Sequence, residues 1–237
     1  MSDSIVVIPT YNEQQNVEKM IHRVMSYPNQ FHLLIVDDSS PDGTGEIVTR
    51  LQETYPGRLF LEERTGKQGL GTAYVHGFRW SLDHGYDYIF EMDCDFSHNP
   101  DDLSRLYDAI ADGKADMSIG SRYCKGGKIS NWPLNRILMS YFASVYVRMI
   151  LWIGIRDTTA GFKCYHRSVL AATKLENLKF KGYAFQIGMK YAAVKHGFKI
   201  VEVPITFIDR QYGDSKMSSG IFKEAFFGVW KLRKMDL

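Results

Sequence analysis

The sequence predicts an α/β fold in which helices flank a mainly parallel, twisted sheet. Short β-branched runs such as Ile5–Ile8 are typical of buried parallel strands. They alternate with segments whose apolar residues recur at helical spacing. Repeated strand–helix–strand units require parallel strands joined by right-handed crossovers. The chain has 237 residues, 45% apolar and 24% charged, which is enough to bury one full core.

In the first half, the pattern predicts five strands and four helices. The strands are Ile5–Ile8, Leu33–Val36, Leu59–Leu61, Tyr88–Met92 and Met117–Gly120. The helices are Glu13–Ser26, a segment with Ile47, Val48 and Leu51 on one face, Leu70–Leu82, and a segment that begins at Pro100.

The second half is less regular and more helical. Its predicted helices are Leu134–Ile153, Val169–Leu175, Ala184–Lys195 and Ile221–Met235, and its predicted strands, on either side of Pro204, are Ile200–Val203 and Ile205–Ile208. A polar stripe interrupts the longest helix at Arg136, Ser140, Ser144 and Arg148. No transmembrane segment is predicted, because no window reaches about 18 uninterrupted apolar residues.

Charge and cysteine content exclude several classes of protein. A net charge of +2 gives no general polyanion-binding character, so no nucleic-acid partner is expected. The cysteines Cys94, Cys124 and Cys164 stand alone, which argues against a disulfide framework or a structural zinc site. The N-terminal segment has no basic region and no long apolar stretch, so no signal peptide is predicted.

The basic residues are unevenly distributed. Between Met117 and Arg156 there is no Asp or Glu, and the window holds Arg122, Lys125, Lys128, Arg136, Arg148 and Arg156. Such a window indicates either a solvated basic face or a local site for an anion.

Polar residues follow the predicted strands, at the sheet edge where α/β proteins bind ligands. The sharpest pattern is Asp93-Cys94-Asp95, directly after a buried strand. Two carboxylates at this spacing can reach one divalent cation, and Ser97 can supply a further oxygen. The pattern predicts a site for a metal with phosphate groups, unless the carboxylates merely cap the following helix.

A second acidic pair, Asp37-Asp38, follows the second predicted strand. One carboxylate can accept hydrogen bonds from a nucleoside, or the pair can close a turn with Pro41 and Gly43. Neither a dinucleotide-binding G-x-G-x-x-G after the first strand nor a P-loop motif occurs. The glycine-rich segment 66–71 is predicted to form a loop near phosphate or a helix start.

Eight blocks in a fixed order make the sequence similar to a known family. They are PTYNE, VDDSSPDGT, GLGTAYVHGF, DCDFSHNP, GSRY, DTTAGFKCYHR, KGYAFQIGM and EVPITFIDRQYGDSK. From Ile5 to about Lys216 the chain resembles the family 2 glycosyltransferases of GT-A fold, and within them the dolichol- or polyprenol-phosphate mannose synthases. The resemblance implies a Rossmann-like sheet with a helical region on the acceptor side. It divides one domain, 1–237, into a nucleotide-sugar half (1–122), an acceptor half (123–220) and a basic amphipathic C-terminal helix (221–237).

The resemblance also implies which residues bind the sugar donor. They are Pro9, Tyr11, Glu13, Val36, Asp38, Asp93, Cys94, Asp95, Ser97, Arg210 and Lys216. A divalent metal, Mg²⁺ or Mn²⁺, is implied at Asp95 and Ser97, with Asp93 as a further candidate ligand. Cys94 replaces an alanine that is frequent in the family, and its contact would be made through the backbone.

Four residues are implied to receive the acceptor phosphate: Arg122, Arg136, Ser140 and Arg210. Arg136 and Ser140, four apart on one helix face, have the spacing of a phosphate clamp. The catalytic roles fall by the same resemblance to Asp95, Arg122, Arg210 and Lys216.

The implied reaction is an inverting transfer of mannose from GDP-mannose to a dolichyl or polyprenyl phosphate. Three alternatives stay open: a polyprenyl-phosphate transferase that uses a UDP-sugar, a transferase acting on a glycan hydroxyl, and a non-catalytic nucleotide-sugar-binding subunit. The acid-free window disfavours the second, because a hydroxyl acceptor requires a catalytic carboxylate. The complete set of acidic and arginine residues disfavours the third.

Membrane contact is expected as well. The lipid acceptor implies a peripheral protein on the cytoplasmic side of a membrane, with a membrane-anchoring subunit as a further candidate partner. Leu134–Ile153 and Ile221–Met235 combine basic residues with Trp and Phe, which is typical of interfacial helices. The aromatic residues of the last helix have the alternative of packing on the domain itself.

Overall fold

The computed structural model of the protein describes residues 2–27, 31–178, 180, 182–209 and 219–237, of which 219–225 by their backbone alone. The helices are α1 (Gln14–Met25), α2 (Thr44–Gln52), α3 (Leu70–Asp83), α4 (Asp102–Ala111), α5 (Leu134–Leu151), α6 (Arg167–Ala172), α7 (Tyr183–Lys195) and α8 (Ser219–Lys234). The strands are β1 (Ser4–Thr10), β2 (His32–Asp37), β3 (Leu59–Glu63), β4 (Tyr88–Glu91), β5 (Met117–Ser121), β6 (Lys128–Ser130), β7 (Lys163–His166), β8 (Ile200–Pro204) and β9 (Thr206–Ile208).

Seven strands form one sheet in the order β3-β2-β1-β4-β7-β5-β8, and β6 pairs with β9 separately. Strand β7 is antiparallel to its neighbours β4 and β5, whereas the other pairings in the sheet are parallel. The predicted α/β fold with a mainly parallel sheet is therefore confirmed. The carboxyl ends of β1, β2, β4 and β5 lie along one edge, where such sheets bind ligands.

The sheet separates two apolar cores because successive strand residues point to opposite faces. On β1, Ile5 and Val7 pack into the core formed with α3, α5, α6, α7 and α8. Val6 and Ile8 pack into the core formed with α1, α2 and α4. All four side chains are fully buried, which fixes the end of the strand from both sides.

The strands and helices predicted for the first half all form, and the long helices of the second half form as well. The helix expected to begin at Pro100 begins instead at Asp102. The reason is a turn in which the Asn99 side chain accepts a hydrogen bond from the Asp101 amide, which leaves Pro100 before the helix.

Strand β7 was missed because its sequence, KCYH, does not look like an internal strand. Lys163 is fully buried there, since its ammonium lies 2.8 Å from Glu91 Oε2 in the neighbouring strand. Strand β6, which pairs with β9 outside the main sheet, is not predicted either, because three residues are too few to show a pattern. Pro204, expected between two strands, ends β8 itself; β8 lies at the edge of the sheet, where proline is tolerated.

Helix α8 docks on α5 through aromatic contacts. The Phe226 ring stacks on Tyr146 with centroids 4.7 Å apart, and the Trp230 indole donates to the Tyr146 hydroxyl at 2.9 Å. Much aromatic surface nevertheless stays in contact with solvent, as Phe227 is 69% exposed. Within the described residues, no helix is long and apolar enough to cross a bilayer.

Candidate active site

A cavity of about 510 Å³ opens at the carboxyl edge of the sheet. The predicted donor and metal residues that line it are Pro9, Tyr11, Glu13, Asp38, Asp93, Cys94, Asp95 and Ser97. Arg122 and Arg136, predicted for the acceptor phosphate, line the same cavity. The fold thus brings residues from both halves of the sequence together.

Two predicted site residues that the structure describes, Val36 and Ser140, do not line this cavity. The Val36 side chain is fully buried in the core that contains α3. Ser140 lines a neighbouring groove instead. Arg210 and Lys216 lie outside the described residues, so their predicted roles stay predictions.

Unusual backbone conformations lie where strands end at the cavity. Asn12, Ser39 and Phe96 follow β1, β2 and β4 with φ values of 56°, 53° and 59°. Non-glycine residues rarely adopt positive φ, and such positions cluster at functional sites because packing holds them there. These turns direct Tyr11, Asp38 and Asp95 toward one space.

Neighbouring groups contact both carboxylates of the Asp-Cys-Asp segment. Asp95 is 7% exposed, and its Oδ1 accepts the Ser97 amide at 3.0 Å. The Tyr74 hydroxyl donates to Asp93 Oδ1 at 3.1 Å. His98 Nδ1 lies 3.9 Å from Asp93 Oδ2, and burial lowers the pKa of this histidine to about 4, so the ring is neutral at neutral pH.

These residues fit a hard divalent cation that arrives with phosphate. The carboxylates of Asp93 and Asp95 and the hydroxyl of Ser97 are the oxygen ligands that Mg²⁺ and Mn²⁺ prefer, and His98 Nδ1 is buried without a hydrogen-bond partner beside them. Across the described part of the chain, no three His, Cys, Asp or Glu side chains group closely enough to hold a metal. A cation here would complete its coordination with ligand and water oxygens.

The structure gives different partners to the two carboxylates at the end of β2, Asp37 and Asp38. Asp37 is used within the turn, where its Oδ1 accepts the hydroxyls of Thr10 and Ser40, both at 2.6 Å. Asp38 reaches the cavity, but its Oδ1 accepts Arg64 Nε at 2.7 Å in an ion pair that is almost fully buried.

The glycine-rich segment 66–71 forms a loop and helix start at the cavity wall. Asp38 Oδ2 accepts the Gln68 amide at 3.3 Å, which ties the loop to β2. Lys67 Nζ lies 4.6 Å from the centre of the Tyr11 ring, and both residues line the cavity. The predicted position of this segment beside the ligand site is consistent with that geometry, and Asp38 organises it.

Arg122 is buried and firmly held. Its Nε and Nη2 each lie 2.7 Å from a carboxylate oxygen of Asp157, and Nη2 also donates to Thr159 Oγ1 at 2.8 Å. Burial lowers the pKa of Arg122, but the attraction of Asp157 outweighs it and raises the pKa above its ordinary value. Nη1 makes no hydrogen bond to the described residues, so its two N–H groups remain for a ligand.

Arg136 lies at the mouth of the same site. Its Nη1 is 3.0 Å from Asp209 Oδ2, and its guanidinium stacks 3.9 Å from the Trp132 ring centre. Ser140 follows one turn later on α5, and both residues line the neighbouring groove; their role as a phosphate clamp stays a prediction.

A second, apolar groove of about 490 Å³ adjoins the cavity between α5, α7 and α8. Met139, Phe142, Tyr146, Ile187, Phe226 and Phe227 are among the residues that line it. Four residues line both spaces: Trp132, Arg136, Thr159 and Tyr183. The two spaces thus meet at a junction where the guanidinium of Arg136 and the side chain of Thr159 lie.

Several residues of the site were not singled out from the sequence. Asp157 is the first acidic residue after the acid-free window, and Asp209 lies far along the chain, yet both pair with arginines of the site. The block DTTAGFKCYHR could have pointed to Asp157 and Thr159, and the glycine-rich segment 66–71 to Lys67, but no local pattern predicts Trp132.

Comparisons with known proteins agree with this geometry. The sequence matches the family described as Glycosyl transferase family 2 over residues 5–173. It is 47% identical over 232 residues to the polyprenol monophosphomannose synthase of Mycolicibacterium smegmatis. This alignment covers 97% of this chain and 87% of that protein. It is 43% identical over 225 residues to the undecaprenyl-phosphate mannosyltransferase of Micrococcus luteus, covering 95% of this chain and 91% of that protein.

Crystal structures of glucosyl-3-phosphoglycerate synthase from Mycobacterium tuberculosis share the fold. The complex with Mn²⁺, UDP and phosphoglyceric acid superposes with a TM-score of 0.72 at 14% identity, covering 98% of this chain and 79% of that one. The complex with Mn²⁺, UDP and glucosyl-3-phosphoglycerate gives a TM-score of 0.71 at 15% identity, with coverage of 98% and 81%. Identity this low establishes a common fold alone.

Proposed function

Because this chain belongs to glycosyl transferase family 2, we propose that it transfers mannose from GDP-mannose to a polyprenyl phosphate. The relatives at 47% and 43% identity are named for mannosyl transfer to polyprenol and undecaprenyl acceptors. The product would be a polyprenyl β-mannosyl phosphate for glycan assembly.

One observation carries the proposal: the polar strand-end cavity and the apolar groove meet at an arginine-lined junction. A nucleotide sugar is polar throughout and suits the cavity. A polyprenyl phosphate has an anionic head on an apolar tail, so it suits a groove that ends at Arg136 and Thr159. Their reacting groups would then meet at the junction.

We assign the donor to the cavity. Pro9, Tyr11, Glu13 and the Asp38-anchored loop surround the nucleoside, and Asp93, Cys94 and Asp95 border its diphosphate. Arg210 and Lys216, which lie outside the described residues, are also proposed to contact the donor. Val36 is proposed to contact it through its backbone. A Mg²⁺ or Mn²⁺ ion held by Asp95 and Ser97, with Asp93 beside it, would neutralise charge on the departing diphosphate.

The acceptor phosphate is already anionic, so this reaction requires positioning more than proton removal. Arg122 Nη1, Arg136 and Ser140 would hold the phosphate in line behind the anomeric carbon. A phosphate oxygen forms the new bond to that carbon, and the bond to the diphosphate breaks with its electron pair. A single displacement inverts the carbon, so an α-linked donor gives a β-linked product.

Asp157 is a poor candidate for a general base on a hydroxyl acceptor. Burial alone would raise its pKa, but the Arg122 guanidinium outweighs burial and holds the pKa below its ordinary value. Both carboxylate oxygens are also occupied by Arg122. This supports a phosphate acceptor over a glycan hydroxyl. The fold does bring two carboxylates, Asp157 and Asp209, to arginines of the acid-free window, but each is paired with an arginine.

We further propose peripheral contact with the cytoplasmic face of a membrane. Five apolar residues on α5, directly after it and on α8 are each at least 62% exposed: Leu134, Phe142, Met149, Trp152 and Phe227. Such a surface would let a bilayer-embedded prenyl chain enter the groove from its side. A membrane-anchoring subunit is a further candidate to cover the same surface.

Donor choice is tested by turnover with GDP-mannose and UDP-glucose at equal concentration, with a short polyprenyl phosphate, Mg²⁺ or Mn²⁺, and a chelator control. We expect chelator-sensitive transfer from GDP-mannose that exceeds transfer from UDP-glucose. Preference for UDP-glucose would replace the proposed donor. Nucleotide binding without any transfer would instead indicate a non-catalytic subunit.

A further inference from the structure

Lys190 of α7 is a fully buried lysine whose ammonium group contacts three backbone carbonyls. Its ammonium nitrogen lies 2.7 Å from the Ala160 carbonyl oxygen, 3.1 Å from that of Thr158 and 3.3 Å from that of Gln186. Two buried cations nearby do have carboxylate partners: Lys163 pairs with Glu91, and Arg122 pairs with Asp157. Within the described residues, no ion pair includes Lys190.

The three acceptors match an ammonium group. An ammonium has three N–H donors, one for each carbonyl, whereas a neutral amine would direct a lone pair at a carbonyl oxygen. Burial lowers the pKa of Lys190 well below its ordinary value, but the three carbonyl acceptors favour the protonated form. Hydrogen bonds from a charged donor in a dry interior are strong and directional.

Two of these carbonyls belong to the segment that borders the reaction site. Residues 157–161 run from Asp157, which holds Arg122, to Gly161 in the cavity wall. Thr159 lies between the two residues whose carbonyls bond to Lys190. Its hydroxyl accepts a hydrogen bond from Arg122 Nη2, and its side chain lines both the cavity and the groove. Lys190 therefore holds the backbone carbonyls of the residues on either side of Thr159 in place.

We propose that Lys190 is a positioning residue for the acceptor phosphate. Its ammonium holds the 157–161 segment so that Arg122 Nη1 and Thr159 face the junction at the correct distance from each other. The proposal that the anion is the acceptor phosphate rests on the proposed function, whereas the contacts of Lys190 do not depend on it.

The test compares Lys190→Met with the unaltered protein in two binding measurements. Farnesyl phosphate and GDP are titrated separately by calorimetry, and the KM for farnesyl phosphate is measured in the transfer assay. We expect farnesyl phosphate affinity to fall by roughly tenfold or more, because displacement of Arg122 would weaken its charge-assisted contact with the phosphate. GDP affinity should change less than about twofold.

Two further variants separate positioning from general destabilisation. Met20→Ala removes a buried side chain from the opposite core, formed with α1. It should lower the unfolding temperature yet leave farnesyl phosphate affinity unchanged. Thr159→Val removes the hydroxyl that Arg122 contacts, and Thr159→Ser retains it. If Lys190→Met does not fold, Thr159→Val must still weaken farnesyl phosphate selectively, with Thr159→Ser near normal.

The inference is overturned if Lys190→Met weakens GDP and farnesyl phosphate equally, if it weakens neither, or if Met20→Ala weakens farnesyl phosphate as much. It is also overturned if Thr159→Val binds farnesyl phosphate normally. If the unaltered protein binds farnesyl phosphate but transfers no mannose, the proposed function is wrong. The affinities of the unaltered protein and Lys190→Met for farnesyl phosphate would still test the role of Lys190.

Discussion

Asp95 and Arg136 line the same cavity, but only Arg136 also lines the apolar groove, so their substitution should affect different substrates. Asp95 is nearly buried beside the expected diphosphate position, whereas Arg136 reaches the apolar groove. The separation makes the two assignments independently testable at the level of single residues.

Asp95→Ala should reduce transfer by at least about 100-fold, as for loss of one key electrostatic group at a reaction centre. The reason is the loss of a metal-facing carboxylate, which leaves diphosphate charge uncompensated. Initial rates with metal titration measure this effect. Asp108→Ala, at an exposed position of α4, is the matched control. Transfer by Asp95→Ala at a normal rate and with a normal metal requirement would refute the assignment.

Arg136→Ala should mainly impair use of the lipid phosphate. A lost charge-assisted hydrogen bond costs about 1.5–3 kcal/mol, and the variant also removes the cation that Arg136 places beside the Asp209 carboxylate. The KM for acceptor should rise while GDP affinity stays the same. Arg148→Ala, on the same helix but lining neither space, is the control. Weakened GDP binding with normal acceptor use would show that the site is assigned wrongly.

Arg210→Ala should also impair acceptor use, but here GDP affinity is expected to fall as well. The family resemblance places this arginine at both substrates. Parallel titrations of GDP and farnesyl phosphate measure the two effects. If both affinities stay normal, Arg210 belongs to neither substrate site.

At the scale of elements, helix α3 packs against the sheet through a glycine. A methyl group on Gly77 would lie 2.4 Å from Val7 Cγ1 in the centre of the sheet. Gly77→Ala should therefore lower the free energy of unfolding by about 1–3 kcal/mol through overpacking. Urea unfolding measures the change. Gly154→Ala, where nothing lies within 4 Å, should be nearly neutral; equal stability of both variants would contradict the packing described.

Elements with a strong local pattern could be predicted, whereas those stabilised by distant partners could not. Helix α1 and strand β1 follow apolar periodicity closely. Strand β7 depends on Glu91, 72 residues away, to bury Lys163, and sequence patterns carry no such pairing. The site shows the same limit: the Asp-Cys-Asp segment stands out locally, but the Asp157 partner of Arg122 is found only in the folded chain.

At the scale of the whole molecule, exposed aromatic residues of α5 and α8 lie on the side where the groove opens. The unaltered protein should float with anionic liposomes at low salt and less at high salt, because screening weakens headgroup attraction. Phe142→Ser with Phe227→Ser should reduce flotation. Val194→Ser, which changes an exposed apolar residue of α7 that lines neither space, should not. No flotation at low salt with polyprenyl phosphate present would contradict membrane contact.

The central claim is that one protein joins a mannosyl donor to a phosphate on an apolar tail. The most direct measurement is transfer of radiolabelled mannose from GDP-mannose to farnesyl phosphate, with farnesol as the matched acceptor that lacks phosphate. We predict an organic-extractable labelled β-mannosyl phosphate with farnesyl phosphate and no labelled product with farnesol. Transfer to farnesol, or label that appears on a glycan hydroxyl but never on farnesyl phosphate, would contradict the account.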